Sequence, residues 1–361
     1  MSPRLGRWGW WLLAAAVLAG RVVQVRTSAV WGDDLMVFWR AGRAAADGAN
    51  PWVPGYDYLP AALIVLAPLG LLSFRVAREL WLVGGCVCVA MTTAFLARRL
   101  GLPPAGSVVC AFLAFPTVSA LQFANVTLVE LPVVALLAAA VGAGRWRRAA
   151  VLLVVGIAVK PVLVPCLVVL VRRRRWRELA GVLGGLVVLD ALVLAVVGDA
   201  GGWLRQARSG LAGARQDPAS ADLGSLAGRL HLPGPVELAC AAFVVALTLV
   251  VLWRTTDAVV LVSLPLIAAF LVGPVAWAHY PLLLLPLVGW LVARGGRAGR
   301  GLAALALVLS MSLEPVSGHL IRTVPPAGLF GLLTAALVVL LAAAALGTPG
   351  RARVRAAGAV T

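Results

Sequence analysis

Only fourteen acidic residues occur in the 361-residue chain, and four of them, Asp33, Asp34, Asp47 and Asp57, fall in one polar insert between Trp31 and Tyr58. Scarce carboxylates gathered in one aqueous loop are candidates for chemistry, and Asp34 leads. A carboxylate outside the bilayer costs little to keep ionised, and it can act as general base on a hydroxyl held within hydrogen-bond reach. The alternative is structural: Asp33 and Asp34 precede Leu35-Met36-Val37-Phe38-Trp39-Arg40 and could cap a short helix.

Further candidates punctuate apolar runs. Lys160 is the one lysine among thirty-one basic residues and sits in Ala158-Val159-Lys160-Pro161. A cation near the centre of a span costs roughly 2.5–3.5 kcal/mol, so a partner must offset it. Pro161 removes a backbone donor and can open the helix beside the ammonium. An anion site, such as the phosphate of a lipid carrier, and an internal ion pair with Glu130 both satisfy that requirement. Gln122 and Asn125 are amides that can bind a polar ligand or join helices. Trp277-Ala278-His279-Tyr280 supplies a proton-transferring imidazole with aromatic flanks suited to a sugar face or a membrane interface. Asp190 reads as a helix-packing carboxylate, and His231 and His319 carry no partner signal.

The elements that must position these residues are transmembrane helices. Hydrophobic residues make up 62 % of the chain and charged residues 12 %, with a mean hydropathy of +0.98, whereas soluble domains carry about 25 % charged residues. Long continuous apolar runs exclude a β-barrel. The composition predicts an all-α polytopic membrane protein of about ten to twelve spans, over 8–25, 59–74, 79–97, 105–122, 126–143, 149–171, 179–198, 236–253, 258–276, 280–293, 301–318 and 326–347. A single domain over 1–350 carries two surface inserts, 26–58 and 199–235, and residues 351–361 form a basic tail. The first helix is retained rather than cleaved.

The net charge of +17 is arginine at the ends of apolar runs, which is an orientation signal and not a nucleic-acid footprint. It places the N-terminus, Arg172 to Arg177 and the tail in the cytoplasm, and the 26–58 insert outside. Strict alternation of the twelve spans then puts Arg98-Arg99 and Arg145 to Arg148 outside, against the same rule. The five cysteines lie in apolar runs and read as small core residues. No phosphate-cradling glycine loop and no metal-ligand set is present, so no cofactor and no metal are expected, and an outward-facing enzyme needs a donor carried in the membrane.

Six stretches, in order over residues 30 to 286, resemble the polyprenol-phosphate-mannose-dependent α-mannosyltransferases of glycosyltransferase family 87. They are Asp34-Leu35-Met36-Val37-Phe38-Trp39-Arg40-Ala41-Gly42, Gly48-Ala49-Asn50-Pro51-Trp52, Tyr58-Leu59-Pro60 with Ala67-Pro68-Leu69, Gln122-Phe123-Ala124-Asn125, Lys160-Pro161, and Gly273 through Tyr280. Leu59, Leu121, Gly273 and Phe38 depart from the usual Pro, Gly, Ser and Tyr. The resemblance implies a C-type glycosyltransferase bundle in the cell membrane. Mannose would pass, with inversion, from a polyprenyl-phosphate donor to a glycolipid or cell-envelope glycan acceptor on the extracytoplasmic side. It implies Asp34 as general base, with Asp33, Arg40, Tyr58, Gln122, Asn125, Lys160, Trp277, His279 and Tyr280 binding substrate. Arabinofuranosyl transfer from the same kind of carrier, and a lipid flippase or transporter using Lys160 as a moving charge, are the alternatives.

Overall fold

The structure, a computed structural model, describes residues 3–214, 222–229, 231, 233–273 and 277–311. The expected span 326–347, the tail 351–361 and His319 lie outside the described residues. All regular structure among the described residues is helical. In chain order the helices are α1 (Pro3–Arg26), α2 (Asp33–Ala46), α3 (Ala62–Leu66), α4 (Phe74–Leu100), α5 (Pro104–Leu113), α6 (Phe115–Phe123), α7 (Thr127–Gly142) and α8 (Trp146–Val159). There follow α9 (Leu167–Arg172), α10 (Trp176–Val197), α11 (Ala200–Ala214), α12 (Leu223–Arg229), α13 (Gly234–Arg254), α14 (Ala258–Val272), α15 (Leu285–Arg294) and α16 (Gly296–Met311).

Among the described residues four helices are long and apolar enough to cross a membrane whole: Trp8–Arg26, Phe74–Leu100, Trp176–Val197 and Gly234–Arg254. α5 and α6 form a pair bent by 65°, and Phe115-Pro116 follows the bend. The remaining apolar helices, including α7, α14 and the pieces around Lys160 and Tyr280, are shorter. The chain is thus a multi-pass membrane protein that combines whole spans with short and broken ones.

Two expected spans are corrected. Run 59–74 does not cross. Pro60 and Pro68 break it into α3 and a 3-10 turn, Ala67–Leu71, which lies backbone-to-backbone on α2. A Cβ on Gly42 would sit 2.6 Å from the Ala67 carbonyl oxygen, and one on Gly70 would run into the backbone of Arg43. Run 149–171 is a hairpin rather than one span. Lys160 is extended (φ −151°, ψ 122°) ahead of the 3-10 turn Pro161–Cys166, because proline disfavours helix at the residue before it. Both ends of the hairpin return to one place: the Arg175 guanidinium lies 5.0 Å from the Trp146 ring centroid.

These two changes remove the conflict between alternation and charge. Once 59–74 is dropped, α4 ends at Arg98-Arg99 and α7 leads to Arg145 on the same end of the bundle. With 149–171 folded back, Arg172 to Arg177 join them. Arg99 and Arg145 line one cavity, and Arg99, Arg173, Arg254 and Arg294 line another. A third is shared by Arg147, Arg174, Arg175 and Arg177. The arginines form one face, as the charge rule requires.

The two polar inserts meet at the opposite end. Asn50 Nδ2 donates to Asp199 Oδ2 (2.9 Å) and Trp203 Nε1 donates to the Tyr58 carbonyl (2.9 Å). Both inserts contain helices rather than loops: α2 in the first, α11 and α12 in the second. Beneath them Phe38, Trp52, Tyr56 and Leu66 pack against Val126, Val159 and Val193 at the ends of α7, α8 and α10. Asp190, on α10, accepts from the Ala61 backbone N–H (2.8 Å) and ties the insert to the bundle. Of the five free cysteines, Cys86 and Cys166 are buried, but Cys110 and Cys240 are exposed. An apolar bundle surface accepts a thiol as readily as the core does, so apolar context alone did not make these core residues.

Candidate functional site

The site is built where helices stop short. α8, α14 and α7 have 14, 15 and 16 residues, so from the arginine end they reach only about 21–24 Å at 1.5 Å per residue. α10, with 22 residues, reaches about 33 Å. The chain therefore turns below the rim, and Asn125, Lys160 and the 277–280 segment sit at those turns.

Asp34 is brought to this level by α2. Gly32, at φ +88°, is the residue before the helix and makes no side-chain cap; Asp33 and Asp34 follow in the first turn. Both acids therefore stand in the first turn, where negative charge favours the helix dipole, rather than at the residue before the helix. The Gly32 N–H donates to the Gln122 carbonyl (2.8 Å), tying the start of α2 to the end of α6. A Cβ on Gly32 would lie 2.9 Å from Arg78 Cδ. Arg78 stacks on the buried Trp31 ring at 3.8 Å and donates to the Trp31 carbonyl (3.4 Å). With Leu35 and Phe38 buried below, Asp34 turns inward and Asp33 stays exposed.

Asn125 is the hub. Ala124 takes φ +51° after α6, and the reversal buries the Asn125 side chain (2 % exposed). Its Nδ2 donates to Asp34 Oδ2. Its Oδ1 accepts from Thr127 N (2.8 Å), Thr127 Oγ1 (2.6 Å) and Lys160 Nζ (3.0 Å). Lys160 Nζ also donates to Thr127 Oγ1 (3.1 Å) and lies 4.2 Å from the Tyr280 ring centroid, a cation–π distance. This network fixes the amide orientation, since three donors converge on Oδ1 and a carboxylate faces Nδ2.

Lys160 thus faces Asp34 through one amide and makes no ion pair with Glu130 among the described residues. Glu130 is 1 % exposed, and neither of its side-chain oxygens has a hydrogen-bond partner among the described residues. His279 is 4 % exposed, with its ring 5.2 Å from Tyr280 and 6.4 Å from Phe123. Its Nε2 has no partner among the described residues, which leaves that nitrogen available to a ligand.

Burial raises the Asp34 carboxyl above its ordinary value of 3.8, and the Asn125 hydrogen bond and the Lys160 charge draw it back. Asp57 is pushed up to about 6, by burial and then by the charge on Asp34; a Cβ on Gly210 of α11 would run into its carboxyl. The Tyr58 phenol is raised by burial and by Asp34, and its ring packs 4.6 Å from Phe38.

Of the residues singled out in the sequence, the fold gathers Asp34, Tyr58, Asn125, Lys160, His279 and Tyr280. Gln122 is buried and its main chain anchors α2. Arg40 and Asp33 are exposed, and Trp277 is half-buried beside the cluster. Thr127 was not among the sequence candidates, although Asn125-Val126-Thr127 has the spacing of an Asx turn. Asp57 was noted only as one of the clustered carboxylates.

In comparison with known proteins, the family model for glycosyltransferase family 87 matches residues 56–274. No curated protein matches the chain and no solved structure matches it. The matched segment includes Tyr58, Gln122, Asn125 and Lys160; Asp34 precedes it and His279 follows it.

Proposed function

We propose, from the premise that this chain belongs to glycosyltransferase family 87 and is a membrane glycosyltransferase, that it transfers mannose from a polyprenyl-phosphate carrier to a glycolipid or cell-envelope glycan on the extracytoplasmic side. The observation that carries this reading is the line Asp34–Asn125–Lys160, a carboxylate and an ammonium held on the two ends of one amide. Asp34 takes the proton of the acceptor hydroxyl while that oxygen attacks the anomeric carbon. The bond from that carbon to the carrier phosphate breaks, the configuration inverts, and the polyprenyl phosphate leaves with the bonding pair. Lys160 offsets the negative charge of Asp34 and of the departing phosphate. His279 and Tyr280 line the sugar side. The extracytoplasmic placement is supported by the arginine face at the other end of the bundle.

The test is Asp34→Asn, purified and incubated with polyprenyl-phosphate mannose or polyprenyl-phosphate arabinose plus a lipid extract, with products read by mass spectrometry. A lost general base lowers the rate about 10²- to 10⁴-fold in a protein that still inserts and melts normally. Wild-type product formation by Asp34→Asn removes the catalytic assignment. Arabinosylated product in place of mannosylated product overturns the donor.

A further inference from the structure

The arginine end of the bundle, remote from Asp34, holds a cavity of about 920 Å³ between α4, α7, α13 and α15. Four guanidinium groups line it, from Arg99, Arg173, Arg254 and Arg294, against one carboxylate, Asp257. That carboxylate is already engaged: it accepts from Arg294 (2.6 Å) and caps α14 by accepting from the Val259 N–H (2.9 Å). Three arginines therefore remain without an acidic counterpart in the lining. Two donors on its walls, Arg173 Nε and Trp290 Nε1, are buried with no acceptor among the described residues. The other walls are apolar, chiefly the small-residue face of α7 from Ala135 to Gly142.

The positive-inside tendency accounts for arginines at this end in number. It does not account for buried donors turned from water without acceptors, which is a costly arrangement. Arg98 and Arg300 satisfy the same tendency outside the cavity lining, whereas Arg99, Arg254 and Arg294, equally exposed, are turned to it together with the half-buried Arg173. A ligand that completes the cavity must bring oxygen acceptors and negative charge at the arginines and an apolar chain along α7. We infer that this cavity binds the phosphate headgroup of an acidic membrane lipid, with an acyl chain laid on α7. A free phosphate shares the anion chemistry but leaves the apolar wall unused.

The full-length protein, stripped of lipid in a neutral detergent, is titrated with phosphatidylglycerol, phosphatidylcholine or inorganic phosphate and followed by native mass spectrometry. One phosphatidylglycerol per chain is expected, retained over phosphatidylcholine and resistant to inorganic phosphate. Arg99→Gln/Arg173→Gln should weaken it about tenfold or more, as expected for lost charge-assisted bonds. Arg98→Gln/Arg300→Gln, with the same charge loss outside the cavity, should bind like wild type. Should the first pair fail to fold, the exposed Arg254→Gln takes its place, with weakened binding again expected. Equal retention of phosphatidylcholine, equal loss in both double variants, or displacement by inorganic phosphate at equimolar concentration overturns the lipid site. None of these readouts depends on sugar transfer, so the site stands or falls apart from the role of Asp34.

Discussion

Replacing Lys160 with methionine tests whether Lys160 and Asp34 act as one electrostatic unit. Two hydrogen bonds and the width of one amide separate them, so the ammonium stands within about 8 Å of the carboxylate. At an effective dielectric constant of about 20, that charge is worth about 2 kcal/mol to the ionised carboxylate. Burial already raises Asp34, and Lys160 is one of the two groups drawing it down. Its loss therefore raises Asp34 further. A general base must be ionised, so the acid limb of kcat/KM for sugar transfer should move to higher pH. Lys160→Arg, which keeps the charge, should leave the limb near its wild-type position. The sign for stability follows the same linkage: a carboxyl raised in the folded state binds its proton more tightly than in the unfolded chain. Melting temperature should then fall more steeply in Lys160→Met than in wild type as pH rises above 3.8. An acid limb that stays in place, or moves to lower pH, refutes the coupling.

Other outcomes follow from single contacts. Asp34→Asn should melt at or above the wild-type temperature while losing transfer, because a neutral amide suits a buried position better than a carboxylate whose proton affinity is raised by burial; differential scanning fluorimetry beside the product assay reads both. Asp57 is raised from 3.8 to about 6, so its ionisation destabilises the folded state as pH climbs through that window, and Asp57→Asn should flatten the decline in melting temperature between those values. Gly42→Val should destabilise the protein by about 1–3 kcal/mol, since even a Cβ there lies 2.6 Å from the Ala67 carbonyl oxygen; an unchanged thermal melt would show that α2 can lift from the 67–71 turn without cost.

Class and candidate residues were legible because they are local properties. Runs of apolar residues declare helices in lipid wherever the rest of the chain goes, and a lone lysine or a pair of aspartates stands out against 62 % hydrophobic composition. Most of the site residues that the fold gathers were nameable for that reason. Thr127 was not, since a threonine in an apolar run acquires meaning only through the Asn125 oxygen beside it. Nor could hydropathy tell a crossing from a return. Run 149–171 has the length and apolarity of a span, and the extended backbone at Lys160-Pro161 turns it into a hairpin. Run 59–74 is apolar enough to cross, but close backbone packing of Gly42 and Gly70 lays it against α2. The tertiary structure alone decided which end each arginine cluster occupies and which partner Lys160 takes. Hydropathy is summed along the chain, whereas these choices depend on contacts between segments far apart in it. Glu130 and Asn125 are equally plausible partners of Lys160 by sequence distance, and only the packing of α6, α7 and α8 brings the amide, rather than the acid, within hydrogen-bond reach.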